Sequence, residues 1–317
     1  MQLYIIRRLA LTLPTLLAAS IILFTIMHVL PGDVARSITG DVPVAPEVHE
    51  ALRDELGLND PLFTQYNRWL ISMLNGKFGG HSLETNEPIA SILSRQLPVT
   101  VLLASYTLVL SIIISIPLGI IAGVYQTRWI DKFILLATLS GSAIPSLAAS
   151  LIILLVLLIC LNWSPPITYT TPWNDIWNHI QMLAWPTLIL TWQYSSHIIR
   201  ITRTCLIEAL EQPYVTTAYS KGLPKNTIVI KHAFVNALIP IATMLGLQFG
   251  GLLGGAIIVE TIFGLPGIGR GFVNAALIRD YNVVQSFAFL LICAALGINL
   301  LIDIFYRYIN PRINQDS

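Results

Sequence analysis

The chain has 317 residues, of which 55% are hydrophobic and only 11% charged, against roughly 45–50% and about 25% in soluble globular domains. That shortage of charge excludes an ordinary soluble fold and indicates an integral membrane protein. A net charge of +1 gives no basis for nucleic-acid binding, and Cys160, Cys205 and Cys293 are scattered with no CxxC pair that would argue for metal or redox chemistry.

Leu9 to Leu30 form a predominantly apolar run of 22 residues preceded by Arg7 and Arg8, long enough to cross a hydrocarbon core of about 30 Å. A secretory signal has the same layout, but its apolar core is only about 7–15 residues and ends at a small-residue cleavage site. This run ends in Leu30-Pro31-Gly32-Asp33 and reads as a retained first span. His28 near its outer end reads as an interfacial side chain, since no partner at ligand spacing is near. From Pro31 to Pro98 the chain is polar. Val48–Leu58 has helical spacing with Glu47, Glu50, Asp54 and Glu55 on its wet side. Asp60-Pro61 starts a second helix with Leu62, Tyr66, Trp69, Leu70 and Met73 on one face. These amphipathic helices suit either a partner-facing cap or a lid packed on the bundle; nine acidic against five basic residues in this loop disfavour a hold on anionic lipid.

Five further apolar runs follow, at about Val99–Tyr125, Phe133–Leu161, Met182–Ile199, Ala237–Val259 and Val283–Tyr306. Pro117 interrupts the second run of the chain and Pro145 the third, where Gly141-Ser-Ala-Ile-Pro145 can split it into a short helix and a span. The expected fold is therefore an all-α integral membrane protein with six transmembrane helices. Residues 1–98 hold the first span and an extracytoplasmic helical loop, and 99–317 a five-helix core with a cytoplasmic loop at 200–236. Orientation follows from the positive charges: with the N-terminus inside, inner segments carry eleven Lys and Arg, including Arg128, Lys132, Arg200, Arg203, Lys221, Lys225 and Lys231. Outer segments carry seven, five of them in the 31–98 loop, which is too long to weigh. The loop Asn162–Ile180 has no Lys or Arg and holds Trp163, Trp173 and Trp177, as an outer interfacial segment does. Both termini are expected to be cytoplasmic, and the protein multi-pass in the cell membrane.

Glu208–Pro240 is the longest polar interruption in the second half of the chain. Pro213 suits the first position of a helix, Tyr214–Lys221 makes about two turns, Gly222 supplies a left-handed cap, and Pro224 opens a second helix carrying Ile228, Val229, Ile230 and Phe234. Such an element is either a lever pushed from the cytoplasm or a loop that happens to be helical. In the next run Gly246, Gly250, Gly251, Gly254 and Gly255 form overlapping GxxxG pairs, a nearly bare helix face suited to close packing against another span of this or a sister subunit. Asp303 stands four residues before Arg307, so a solvated i,i+4 pair is favoured over a proton relay. Gly267-Ile-Gly269-Arg-Gly271 follows no strand and lacks the Lys-Ser/Thr pair of a phosphate loop. Asn162-Trp-Ser164 alone is too unspecific to assign glycosylation.

No Walker A, HExxH, GxSxG or paired intramembrane carboxylates are visible, nor the two similar halves of many secondary carriers. A pore-forming subunit powered from elsewhere fits these absences. A stand-alone ion-coupled carrier is the next reading, distinguished by gradient-driven uptake by the chain alone. An intramembrane enzyme is the last, distinguished by turnover of a lipid or peptide.

Ala218-Tyr-Ser-Lys221-Gly222-Leu223, Lys231-His232-Ala233 and Asn236-Ala237-Leu238-Ile239-Pro240 resemble the EAA loop of ABC-transporter permeases, closest to the form of the oligopeptide/dipeptide/nickel importer family. Val259-Glu260-Thr261-Ile262-Phe263-Gly264-Leu265-Pro266-Gly267-Ile268-Gly269-Arg270, Arg279-Asp280-Tyr281 and Leu30-Pro31-Gly32-Asp33 resemble other segments of that family, so the likeness covers nearly the whole chain. Thr216-Thr217-Ala218 stands where the general motif has Glu-Ala-Ala, so the usual acidic contact is absent. The resemblance implies a type I importer permease whose coupling helix lies between spans four and five. It also implies a second, similar permease, two cytoplasmic ATPase subunits carrying ATP and Mg, and an extracytoplasmic solute-binding protein. The chain itself would bind no cofactor or metal and hydrolyse nothing, and peptides, nickel or metal chelates would be its solutes. On this reading Tyr214, Ala218, Lys221, Gly222 and Leu223 meet the ATPase, with Ala218 and Gly222 letting the short helix sit close in its groove.

Overall fold

The computed structural model describes residues 2–29, 45–55 and 57–309 and is built of helices throughout apart from one isolated bridge, His81 with Pro88. The Leu30–Asp33 segment and the side chains of Arg7, Asp303, Arg307 and Arg312 lie outside the described residues. The helices are α1 (Gln2–Val29), α2 (Pro46–Glu55), α3 (Leu62–Leu74), α4 (Ile89–Val124), α5 (Trp129–Ala143), α6 (Ser146–Leu161), α7 (Ile176–Leu210), α8 (Pro213–Ser220), α9 (Lys225–Phe263), α10 (Ile268–Leu277) and α11 (Tyr281–Ile309). Four of them, α1, α4, α9 and α11, contain stretches long and apolar enough to cross a membrane, and α5 with α6 make a fifth if the bent pair is one span.

Three boundaries depart from the sequence reading or sharpen it. The helix expected to begin at Val99 begins at Ile89: Pro98 lies inside it, and Ile89 and Leu93 are buried where a loop was expected. The third apolar run is broken, with α5 and α6 meeting at 101°. Pro145 at the break has no N–H to continue the ladder and is extended at ψ 146°. The fourth run lies within α7, a 35-residue helix that is not among the long apolar stretches.

The chain divides into two compact units. The first takes Gln2–Thr100 and Pro266–Leu296. Polar residues of α1 are accommodated within the helix: Thr12, Thr15 and Thr25 donate to the carbonyls of Arg8, Leu11 and Ile21 at 2.8 Å. Phe24 packs edge-on to Tyr66 with ring centroids 5.4 Å apart, and Trp69 meets Phe289 at 5.3 Å. The face expected of α3 is thus a core face centred on Trp69 and Met73, with Leu62 left exposed. Both ring nitrogens of His28 are engaged, by the Phe24 carbonyl and the Gln65 amide. Ile89, Leu93, Ile268, Val284 and Phe287 form the unit's apolar core. Its polar tie is Asp280, 3% exposed, whose carboxylate accepts from the Ser82 hydroxyl and from the backbone N–H groups of Leu83 and Val283.

The second unit takes Val101–Leu265 and the chain from Gly297. Its organising helix is α7, started by Asp175, whose carboxylate accepts from the N–H groups of Trp177 and Asn178. A Cβ placed on Gly119 of α4 would lie 2.5 Å from the Cβ of Thr202, and one on Gly123 3.0 Å from Leu206, so α4 and α7 meet backbone to backbone at these two positions. The glycines of α9 divide three ways. Gly246 and Gly250 face Ile302 and Asn299 of α11, Gly255 faces Tyr194 of α7, and Gly251 and Gly254 have nothing within 4 Å of an added Cβ. The single packing face drawn from the sequence is therefore two intramolecular contacts plus an open patch, because α11 and α7 reach α9 from different sides.

Candidate functional site

The Glu208–Pro240 stretch folds as its punctuation dictates. α7 runs out to Leu210, Pro213 occupies the first turn of the eight-residue α8, and the chain reverses at Gly222 before α9 starts behind Pro224. The reversal is a left-handed cap: Gly222 has φ +75°, its N–H bonds to the Tyr219 carbonyl at 2.9 Å, and the Leu223 N–H bonds to the Ala218 carbonyl at 3.3 Å. This pair of bonds is the Schellman arrangement, and its customary apolar contact is present. Leu223 packs on the cluster of Val215, Ala218 and Ile228, as does Leu210.

The predicted residues thereby separate into two roles. Ala218 is 6% exposed and packs with Val215 and Ile228 of its own chain, so its small side chain permits α8 to lie on Ile228. Gly222 and Leu223 make the cap. Tyr214 at 39%, Tyr219 at 48%, and Lys221 are exposed, together with Thr217 and Ser220, and form the outward side of α8.

Three features were not foreseen. The first turns of α9 widen into a π-helical segment, Ile228–Phe234, whose Val229 and Ala233 are buried against Cys205, Leu206 and Ala209 of α7. Burial against this apolar cluster, with Glu208 nearby, pushes the Cys205 thiol above its ordinary pKa. Asp131, in the first turn of α5 and 2% exposed, takes Arg203 of α7 in a two-pronged ion pair, Nε to Oδ1 at 2.6 Å and Nη2 to Oδ2 at 2.8 Å. The Arg203 guanidinium, chiefly through these hydrogen bonds, holds the Asp131 carboxyl below its ordinary pKa. Tyr125, at the end of α4, has Arg128 at 5.5 Å and Lys225 of α9 at 5.8 Å from its ring centre, within cation–π range. A 72-residue separation between Asp131 and Arg203 leaves no local periodicity that would have exposed the pair. An apolar cavity of about 270 Å³ lies among α4, α5 and α7, bordered by Leu118, Phe133, Ala137, Leu188 and Trp192. Among the described residues no three His, Cys, Asp or Glu side chains converge as a metal site would require.

Comparison with known proteins gives a consistent result along the whole chain. Residues 115–315 match the family described as binding-protein-dependent transport system inner membrane component, and residues 1–104 match its N-terminal membrane component. The chain is 36% identical over 310 residues to the glutathione transport system permease protein GsiC of Escherichia coli (strain K12), covering 98% of each chain. Its counterpart of the same description in Salmonella paratyphi A is 36% identical over 311 residues, again covering 98% of each.

Proposed function

Since the chain belongs to the family of binding-protein-dependent inner-membrane transport components, and is thus a multi-pass permease subunit of an ABC importer with no catalysis of its own, we propose that it forms half of a peptide pathway driven through α8. Its partners are a second permease, a pair of cytoplasmic ATPase subunits bearing ATP and Mg, and a solute-binding protein on the opposite side. The observation that carries the coupling role is the make-up of α8: its apolar residues fold back onto Ile228, while Tyr214, Tyr219 and Lys221 stand outward on a braced turn. A short helix held rigidly between the ends of two long ones transmits a push without absorbing it. Closure of the ATPase pair moves α8 as a body and tilts α7 and α9, switching the side to which the pathway opens.

Six crossings complete this reading. Besides the four long apolar stretches and the bent pair, α7 crosses through Met182–Ile199, where its Arg and Glu residues are confined to the end beyond Ile199. Eighteen residues at about 1.5 Å each span about 27 Å. The Lys and Arg distribution puts both termini and α8 in the cytoplasm.

The solute is a small peptide of the glutathione kind, the class transported by the relatives at 36% identity; nickel draws no such support from them. Two measurements test the proposal. A cysteine at Ser220, in a background with the three native cysteines replaced, should react with an impermeant maleimide only from the cytoplasmic side and should cross-link to the ATPase subunit. Labelling from outside would end the coupling role. The assembled transporter should take up labelled glutathione with ATP and with competition by other short peptides; nickel uptake without peptide uptake would reverse the solute assignment.

A further inference from the structure

We propose that the segment Tyr125–Asp131, which leads from the end of α4 into the first turn of α5, is a clamp on the coupling element: Asp131 holds the arriving helix α7 through Arg203, and Tyr125 holds the returning helix α9 through Lys225. A displacement of α8 then reaches α4 and α5 directly as well as α7 and α9. The inference rests on the coupling role proposed above for α8 and extends it to Tyr125 and Asp131, which lie outside the Glu208–Pro240 stretch.

Four observations support it. The Asp131–Arg203 pair is two-pronged and nearly buried on the carboxylate side, with Arg203 20% exposed. Such a pair fixes orientation as well as distance, whereas the apolar packing of Ile120 and Val124 against the same helices resists separation but permits sliding. The same carboxylate accepts the Thr127 N–H at 2.9 Å, so it closes its own turn while gripping α7. Thr127 is β-branched and sits at φ +67°, a conformation such a residue adopts only when its surroundings enforce it. Finally, the Tyr125 ring has two cations within reach, Arg128 of the turn itself and Lys225 at the first position of α9.

Asp131 and Tyr125 are positioning residues on this account, and their signature is a change that depends on nucleotide. The experiment is hydrogen exchange on the complete transporter with its ATPase subunits in nanodiscs, without nucleotide and after trapping with ADP and vanadate. In the unaltered protein trapping should change exchange in α8, in 119–124 and in 129–134. In Asp131→Asn and in Tyr125→Leu the change in α8 should persist while that in 129–134 is lost, and exchanging the charges (Asp131→Arg with Arg203→Asp) should restore it. A merely structural role would alter exchange equally in both states and leave the nucleotide-dependent difference in place. Variants that pass the difference to 129–134 undiminished overturn the clamp but leave α8 as the coupling element. Absence of any trapping effect in α8 of the unaltered protein overturns both.

Discussion

Replacing Gly222 isolates what the coupling turn requires. Its φ of +75° lies in the left-handed region, where an L-residue costs roughly 1–2 kcal/mol more than in the right-handed one. An added Cβ would meet nothing within 4 Å, so no collision adds to that figure and the whole effect is conformational. A loss of 1–2 kcal/mol shifts the ratio of closed to open turn by about 5–30-fold. Exchange of the Gly222 and Leu223 amides, which bond to Tyr219 and Ala218, reads that ratio directly. Gly222→Asn should exchange nearly as the parent, because Asn tolerates the left-handed region; Gly222→Ala should exchange faster, and Gly222→Val fastest. ATP hydrolysed per solute moved should rise in the same order. Unchanged exchange in Gly222→Val, or Asn behaving as badly as Val, would refute the reasoning and mean that the turn is held by contacts other than its backbone conformation.

The ion pair gives a pH-dependent expectation. Asp131 has its pKa lowered in the folded chain, so its contribution is present above the unfolded value of about 3.9 and is lost as pH falls through the lower folded value. Thermal stability of the parent should therefore be insensitive to Asp131 between pH 5 and 8, and Asp131→Asn should lower it throughout that range by an amount approaching the roughly 3–5 kcal/mol of a broken buried pair, measured by melting in detergent. Asp280→Ala removes the acceptor shared by Ser82, Leu83 and Val283. With about 1–3 kcal/mol for each buried donor left unmatched, it should be the most damaging single change in the first unit, read as loss of folded yield. Gly119→Ala drives a methyl onto Thr202 and should cost about 1–3 kcal/mol by overpacking, while Gly254→Ala, with open space around it, should melt like the parent. A Gly254→Leu chain that melts normally alone but no longer pairs with its partner permease would mark the open patch as an assembly surface.

What the sequence made legible was its punctuation. Pro213, Gly222 and Pro224 each impose a backbone state regardless of context, and the helix, reversal and helix between them follow. Pro145 acted in the same way on the third apolar run. Pro98 misled, because a proline one turn or more inside an apolar helix is tolerated when neighbours take up the freed carbonyl, and the buried Ile89 and Leu93 pull the helix ten residues earlier. The roles of side chains were harder. Ala218 reads from the chain as a docking contact, and its packing on Ile228 depends on the direction of its Cβ, which no local pattern carries. Asp131 and Arg203 carry no mark of each other in the chain, since the fold alone brings the starts and ends of distant helices together.

The widened segment Ile228–Phe234 has a consequence for how α9 turns. A surplus residue in a helix offsets everything beyond it by about 100°, so an unbroken wheel drawn through 225–263 assigns the far half to the wrong sides. A tilt received at Lys225 therefore carries with it a far half of α9 whose faces stand about 100° from where an unbroken helix would set them.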